Sequence, residues 1–454
     1  MRIPLKVESL LKSTTGRCPL CHNACPAEIW RLEGKPAQVF IRRVCPEHGL
    51  TENLLSSDAR FYWLAQGKES CCQTSCCSAD GANTGTLGRN AAGKINNHFE
   101  TLSTCLALIE IVHSCNLTCP TCYANSPFGA ESAVQYVPLQ DIQSRIDAVI
   151  ERKGKIEILQ FSGGEPTLHP DFFELLNWAQ NHLKIDYVLL NTNGVKLASD
   201  PIFAERLATH FRYGKFQIYL QFDGLQEEGQ IPLRGIDLRV LRQQAIEFCE
   251  KNRIPFTLAM TVTHENVSHL WATIKFALLY SMARGITFQP FFSSGRAPQS
   301  WKKMRPRLNT ADIILALIQQ SNQQLTADDF TPLPCGDPNC AVIGYLLKTP
   351  AGHRSISEFI NFSNVQGFLR DKIRYNLQDL AQCGCETEPL GQLLKKLEMD
   401  ETHTFRLFIK PFMDAWSWDE HRIDRCCTHV IRPDGKLDSF CRYYSNFPDT
   451  QHAP

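Results

Sequence analysis

The chain predicts an α/β architecture, a parallel partial barrel of six strand–helix units flanked at both ends by small cysteine-rich segments. Three observations predict it. Strand-like and helix-like runs alternate from Cys105 to about residue 300. Polar or glycine-rich signatures stand at five strand ends. The 20 cysteines of the 454 residues cluster near 18–45, 71–77, 105–122, 335–340, 383–385 and 426–441, leaving only Cys249 isolated. A chain this long exceeds one typical core. It divides into a metal-binding domain (1–63), a cysteine-containing linker (64–104), the barrel (105–300) and a second cysteine-rich domain (301–454).

Lys+Arg and Asp+Glu are equal at 47 each, so no overall field draws the chain to nucleic acid. The hydrophobic content of 43% is ordinary for a soluble protein. Met1 to Glu8 lack a signal-peptide apolar region, and no window approaches the roughly 18 apolar residues of a membrane span. The greasiest run, Leu270 to Met282, is broken by Lys275 and reads as a buried helix. A cytoplasmic protein is expected, with peripheral membrane contact left open. Twenty cysteines there serve metals rather than disulfides.

In the first segment, Cys18-Pro19-Leu20-Cys21 and Cys45-Pro46-Glu47-His48-Gly49 flank a strand-like Ala37 to Ile41. Paired knuckles of this kind converge on one ion, as in a zinc ribbon or rubredoxin-like domain. Cys18, Cys21, Cys45 and His48 favour zinc; Cys25 competes with His48, and four sulfurs would suit a mononuclear iron. The linker is polar and rich in Gly, Ser and Asn, and carries Cys71, Cys72, Cys76 and Cys77.

The barrel strands are read at Leu106–Ile111, Ile156–Phe161, Tyr187–Leu190, Phe216–Leu220, Phe256–Met260 with Val262, and Ile286–Gln289. Helices are expected near 139–152, 171–182, 201–211, 236–252 and 267–283. Function in parallel barrels gathers at the C-terminal strand ends. There stand Cys115-Asn116-Leu117-Thr118-Cys119-Pro120-Thr121-Cys122, Gly163-Gly164-Glu165-Pro166, Asn191-Thr192-Asn193-Gly194, Gln221-Phe222-Asp223-Gly224 and Ser293-Ser294-Gly295-Arg296.

Beyond the barrel, helices are expected near 311–323 and 366–381. Asp434-Gly435 signals a hairpin that brings Cys426 or Cys427 toward Cys441. With Cys335 and Cys340 these suffice for an auxiliary 4Fe–4S cluster, and Cys383 and Cys385 can serve a second. Buried free thiols are the alternative.

Cys115, Cys119 and Cys122 form a CxxxCxxC triplet with no fourth cysteine. Zinc with a remote ligand, or three plain thiols, would satisfy it. So would a 4Fe–4S cluster with one iron open to an external ligand, and an open position marks a reactive site. Gly163 and Gly164 let backbone approach a small polar ligand. The triplet and the Gly-Gly-Glu-Pro segment together resemble the radical S-adenosylmethionine (SAM) superfamily. The resemblance implies that SAM chelates the open iron and is cleaved reductively to methionine and a 5′-deoxyadenosyl radical, with ferredoxin or flavodoxin as reductant. It implies that Gly163, Gly164, Glu165 and Pro166 bind the SAM amino group and that Asn191 and Asn193 bind the ribose. Gln221 and Asp223 face the same mouth. The aromatic often found before the third cysteine is Thr121 here, with Tyr123 after it.

Further segments are similar to one subfamily: the N-terminal knuckles, Thr104 to Ile109, Cys119 to Ser126, Leu220 to Gly224, Phe288 to Pro290, Pro334 to Cys340, Cys426 to His429 and Pro433 to Lys436. That subfamily contains tetraether lipid synthases and methyltransferases of a hydroxymethyl-dihydropterin. The resemblance implies hydrogen abstraction from an unactivated C–H, auxiliary iron–sulfur centres and a mononuclear metal site. The subfamily's Cys-Pro-x-x-Cys-Gly-Leu-Cys segment is replaced here by Gly88 to Gly93. Three functions follow, in order of preference: C–C bond formation on a lipid chain through an apolar tunnel; alkyl or methyl transfer to a pterin-like heterocycle in a short polar pocket; and a non-catalytic metal or electron-transfer module. No catalytic acid or base is assigned.

Overall fold

The computed structural model describes residues 7–64, 104–129, 133–302, 306–333, 336–349, 352–359, 401–445 and 447. Cys71, Cys72, Cys76, Cys77, Cys335, Cys383 and Cys385, and the helix expected at 366–381, lie outside them.

The N-terminal unit is an antiparallel meander of β1 (Glu8–Arg17), β2 (Ala24–Leu32), β3 (Gln38–Cys45) and β4 (Gly49–Ser56). Alternation along β2 and β3 turns Ala27, Ile29, Val39 and Ile41 into a small core. So few buried residues make a marginal core, and the metal knuckles at one end supply what it lacks.

The main sheet begins with β5 (Leu106–Val112), then α1 (Leu139–Lys153), β6 (Ile156–Gly163), α2 (Phe172–Asn181), β7 (Ile185–Thr192), α3 (Val195–Ser199) and α4 (Pro201–His210). It continues with β8 (Phe216–Gln221), α5 (Gln230–Arg234), α6 (Arg239–Lys251), β9 (Phe256–Val262), α7 (Leu270–Ala277) and β10 (Ala283–Pro290). These are the six expected strand–helix units. The helix expected to reach residue 283 stops at Ala277. Leu279 is exposed, and the Glu250 carboxylate takes hydrogen bonds from Ser281 N, Ser281 Oγ and Met282 N, which turns the chain into β10.

The C-terminal segment extends this same sheet at both edges. After α8 (Gln299–Lys302) and α9 (Thr310–Gln320) come β11 (Thr331–Pro332), β12 (Val342–Thr349), β13 (Gly352–Ser355) and β14 (Thr404–Ile409). Then α10 (Glu420–Asp424), β15 (Thr428–Ile431), β16 (Leu437–Ser439) and α11 (Phe440–Ser445) close the described chain. β14 pairs parallel with β10, and β15 pairs parallel with β5, so eight parallel strands run β15-β5-β6-β7-β8-β9-β10-β14. Side chains bridge the two flanking strands: Lys410 Nζ donates to Thr428 Oγ1 (3.0 Å), and the rings of Phe412 and Phe440 stack 4.1 Å apart.

Outward residues of β5, such as Ala107, Ile109 and Ile111, join the helix-packed core, whereas Leu106 and Leu108 face inward. The meander is fixed to the C-terminal segment. Lys12 pairs with Asp419 (2.6 Å), Thr14 Oγ1 donates to Asp419 Oδ1 (2.7 Å), and the buried Arg43 guanidinium donates to the Trp416 carbonyl.

Candidate functional site

At the end of the meander, the donor atoms of Cys18, Cys21, Cys45 and His48 lie within 4.8 Å of one another. Cys45 Sγ is 3.6 Å from His48 Nδ1, and this contact holds the Cys45 thiol below its ordinary pKa. Cys25 is buried beside the group without entering it. The set is therefore Cys3His, closed and tetrahedral in character, which suits zinc.

The cysteine triplet follows β5 as an irregular loop held on three sides. Cys115 N donates to Pro127 O (2.9 Å), and Cys122 exchanges backbone bonds with Arg296 (2.8 and 2.9 Å). Arg296 Nε also donates to Cys119 O (2.8 Å). Gly295 has a φ of +56°, and a Cβ there would stand 2.4 Å from the carbonyls of Cys122 and Tyr123. The last strand-end signature thus clasps the first.

Gly163 and Gly164 are required for a reason other than ligand access. A Cβ on Gly163 would meet Val112 O at 2.0 Å, and one on Gly164 would meet Ser114 O at 1.9 Å. The end of β6 passes directly against the chain entering the triplet, and side chains would push the loop away. Glu165 is likewise committed. Its Oε1 accepts from Thr167 N (3.1 Å), Thr167 Oγ1 (2.7 Å) and Thr192 Oγ1 (2.7 Å), and its Oε2 from Asn193 N (2.8 Å). The carboxylate bolts the Gly-Gly-Glu-Pro turn to the end of β7. Burial raises its pKa against these four bonds. Pro166 is buried in the same turn.

Asn193 then reaches the triplet. Its Nδ2 donates to Asn116 Oδ1 (2.7 Å) and lies 3.8 Å from Cys115 Sγ. Burial, with the Glu165 charge behind it, pushes the Cys115 thiol up to about 12. A bound metal is what holds such a sulfur as thiolate.

Asp223 was expected in the mouth, and the structure places it behind the wall instead. It is fully buried and pairs with Arg234 (2.6 Å) and Arg242 (3.1 Å), while accepting from Thr261 N (3.0 Å). Burial alone would raise its pKa, but the two guanidinium charges outweigh it and hold the carboxyl below its ordinary range. The group that reaches the cavity is Arg234, which also donates toward the Cys119 sulfur. Sequence reasoning missed Arg234 because it sits in a short helix with no motif. It passed over Arg296 although the Ser-Ser-Gly-Arg signature contains it.

A cavity of about 300 Å³ occupies the barrel interior beneath the triplet, reached by Cys122, Tyr123, Asn191, Gln221 and Arg296. Cys115, Cys119, Gly163, Gly164, Glu165, Pro166, Asn193 and Asp223 do not line it. Three thiols on one loop, half-buried or buried and flanked by two arginines, suit an anionic cluster with one open iron.

In the C-terminal segment the Asp434-Gly435 hairpin forms between β15 and β16. The half-buried Cys340, Cys426 and Cys441 lie near enough to feel one another's charge and that of Lys410. Arg422 Nη2 stands 3.8 Å from Cys340 Sγ. Cys427 lines the barrel cavity, with its sulfur beside Gly336 and its carbonyl accepting from Cys105 N (3.1 Å).

Fold and site define a class. Residues 109–277 match the radical SAM superfamily and residues 10–57 match the HMPTM N-terminal zinc ribbon domain. The chain is a radical SAM enzyme with an N-terminal zinc ribbon. Over 95% of its length it is 28% identical to 7,8-dihydro-6-hydroxymethylpterin dimethyltransferase of Methanocaldococcus jannaschii, covering 93% of that protein. Mycofactocin maturase MftC of Mycobacterium ulcerans is 27% identical over 49% of this chain and 57% of its own. Among solved structures, Streptococcus suis SuiB bound to S-adenosylmethionine aligns with 49% of each chain at 14% identity and a TM-score of 0.38. No helix among the described residues is long and apolar enough to cross a membrane.

Proposed function

We propose that this enzyme transfers an alkyl or methyl group to a pterin-like heterocycle by radical SAM chemistry. The observation that carries the proposal is the cavity. Inward-facing Gln160, Gln217, Tyr219, Gln221, Thr257 and Gln289 place a band of polar groups in a lining that is otherwise largely apolar. A hydrocarbon chain would desolvate the Gln160 amide, which has no hydrogen-bond partner among the described residues, at about 1–3 kcal/mol. Opposite them, Tyr123, Phe292, Phe412 and Phe440 offer ring faces to a planar ligand. The lipid reading preferred from sequence thus yields to the heterocycle, and the full-length likeness to a pterin dimethyltransferase supports the same choice.

In this reading Cys115, Cys119 and Cys122 hold a 4Fe–4S cluster, which together with SAM supplies a primary-alkyl radical able to take hydrogen from an sp³ C–H. Glu165 and Asn193 fix the loop that carries the cluster. Asn191 and Gln221 remain at the cavity mouth as contacts for SAM. Arg234, anchored by Asp223, places a positive charge beside the cluster. Cys340, Cys426 and Cys441, joined by Cys335, hold an auxiliary cluster whose anionic thiolates Lys410 and Arg422 compensate. A low-potential electron donor of the ferredoxin or flavodoxin kind completes the system.

The test is anaerobic reconstitution followed by SAM and a strong reductant, with and without 7,8-dihydro-6-hydroxymethylpterin. Formation of 5′-deoxyadenosine that depends on the triplet, is stimulated by the pterin and is accompanied by an alkylated pterin supports the proposal. Stimulation by a long-chain lipid but not by the pterin would overturn it.

A further inference from the structure

Resting on the heterocycle reading, we infer that Gln160 is the residue that selects the substrate, by pairing with a cyclic amide on its ring. Gln160 lies on β6 with Leu108 of β5 and Leu189 of β7 as its register neighbours. Its side chain lines the cavity and the residue is only 8% exposed. Its amide makes no hydrogen bond with any described residue.

Other polar groups around the cavity have partners within the protein. Gln217 Nε2 donates to Thr257 Oγ1 (2.7 Å), Gln289 Nε2 to Tyr219 OH (2.9 Å) and Asn191 Nδ2 to Ser162 Oγ (3.1 Å). Gln160 instead turns its amide to the open cavity, where both polar ends are free to meet a ligand. Gln160 is therefore the group the barrel leaves for a ligand.

Its position fits that task. Strand alternation puts Gln160 on the same inward face as Ser162, roughly 7 Å deeper along β6. The Ser162 hydroxyl touches Tyr123 OH (3.4 Å), which sits in the aromatic wall next to Cys122. A ring held at Gln160 thus lies one layer below the radical-generating end and can stack against Tyr123. The chemistry of the ligand follows from the amide itself. Gln160 Oε1 accepts from a ring N–H while Nε2 donates to the adjacent carbonyl, the pattern presented by the pyrimidinone half of a pterin. A hydrocarbon offers neither group.

The experiment is anaerobic fluorescence titration of the reconstituted enzyme with 7,8-dihydro-6-hydroxymethylpterin and with its N3-methyl analogue. Gln160→Leu and Gln160→Met, which keep the side-chain volume, are measured alongside, with SAM affinity and iron content as controls. The wild type is expected to bind the pterin at least about tenfold more tightly than either variant, and to bind the N3-methyl analogue at least about tenfold more weakly than the parent. That second preference should shrink in both variants, with SAM affinity and iron unchanged. Equal pterin binding by wild type and variants would overturn the role of Gln160 while leaving the heterocycle reading intact. So would equal binding of pterin and N3-methyl analogue by the wild type, an arm that needs no variant to fold. No binding of the pterin by the wild type would overturn the heterocycle reading, and the assignment with it.

Discussion

The zinc ribbon and the barrel mouth both gather cysteines on tight Cys-Pro turns, yet they are built for opposite ends. In the ribbon, four donors from two knuckles face one another and close the coordination sphere. At the barrel mouth three thiols stand on one loop, and the side chains that orient them come from the ends of other strands: Asn193 after β7, Arg234 behind β8 and Arg296 after β10. A closed site needs only its own ligands to be correct. An open site needs its surroundings to be rigid, because nothing but the surroundings keeps the empty position empty.

This contrast can be broken most directly by exchanging the damage. The Cys115/Cys119/Cys122→Ala variant should lose all reductive SAM cleavage yet keep one zinc per chain and melt as a folded protein. Cys18→Ser should do the reverse locally: zinc is lost and the ribbon unfolds, since structural zinc contributes on the order of 10 kcal/mol to a domain of this size. Metal analysis with limited proteolysis of residues 7–64 checks both. Loss of zinc from the triplet variant would mean that the two sites are one cooperative unit.

Much of this was legible in the sequence, and the reasons differ by region. The barrel strands were found because their outward faces are uniformly apolar, as in Ala107, Ile109 and Ile111. The ribbon ligands were found because their spacing is local. Asp223 was misplaced because its partners, Arg234 and Arg242, lie in helices whose register against β8 exists only in three dimensions. Gly163 and Gly164 were read as room for a ligand when they make room for Val112 and Ser114, a contact between distant segments. Gln160 passed unnoticed because a polar residue inside an apolar strand signals a cavity only once the barrel closes around it. The pairing of β14 with β10 and of the hairpin strand β15 with β5 was missed for the same reason, since these partners are remote in sequence.

The rigidity of the open site is sharpened by Asp223→Asn. The change leaves Arg234 and Arg242 buried side by side without an anion, and breaking such a cluster costs about 3–5 kcal/mol. Urea unfolding should show a loss of this order, with weaker retention of iron at the triplet. A loss under about 1 kcal/mol would show that the arginines find other partners. Gly164→Ala tests the same idea through shape alone. Its Cβ would stand 1.9 Å from Ser114 O, so backbone must move, and an overpacking cost of about 1–3 kcal/mol is expected together with a shifted cluster absorption spectrum.

The smallest effect concerns how the two regions are joined. Asp419 is 1% exposed, stands just before α10, pairs with Lys12 and accepts from Thr14 of β1. Burial raises its pKa, but the Lys12 charge and the two hydrogen bonds outweigh burial, and the folded value falls below that of a free carboxyl. A depressed folded pKa means that its contribution is complete above the unfolded value of about 3.9 and disappears as pH falls through the folded one. Hydrogen exchange along β1 should therefore stay constant from neutral pH down to about 4 after correction for intrinsic rates, and rise below it as the ribbon loosens. Asp419→Asn keeps an acceptor for Thr14 and removes the charge. It should cost about 1 kcal/mol near neutral pH, because Lys12 is partly exposed, and flatten the acid-side rise. If the rise persists in that variant, the acid-sensitive joint lies elsewhere, and the buried Arg43 contact to Trp416, which carries no titrating acid, is what holds the ribbon to the barrel.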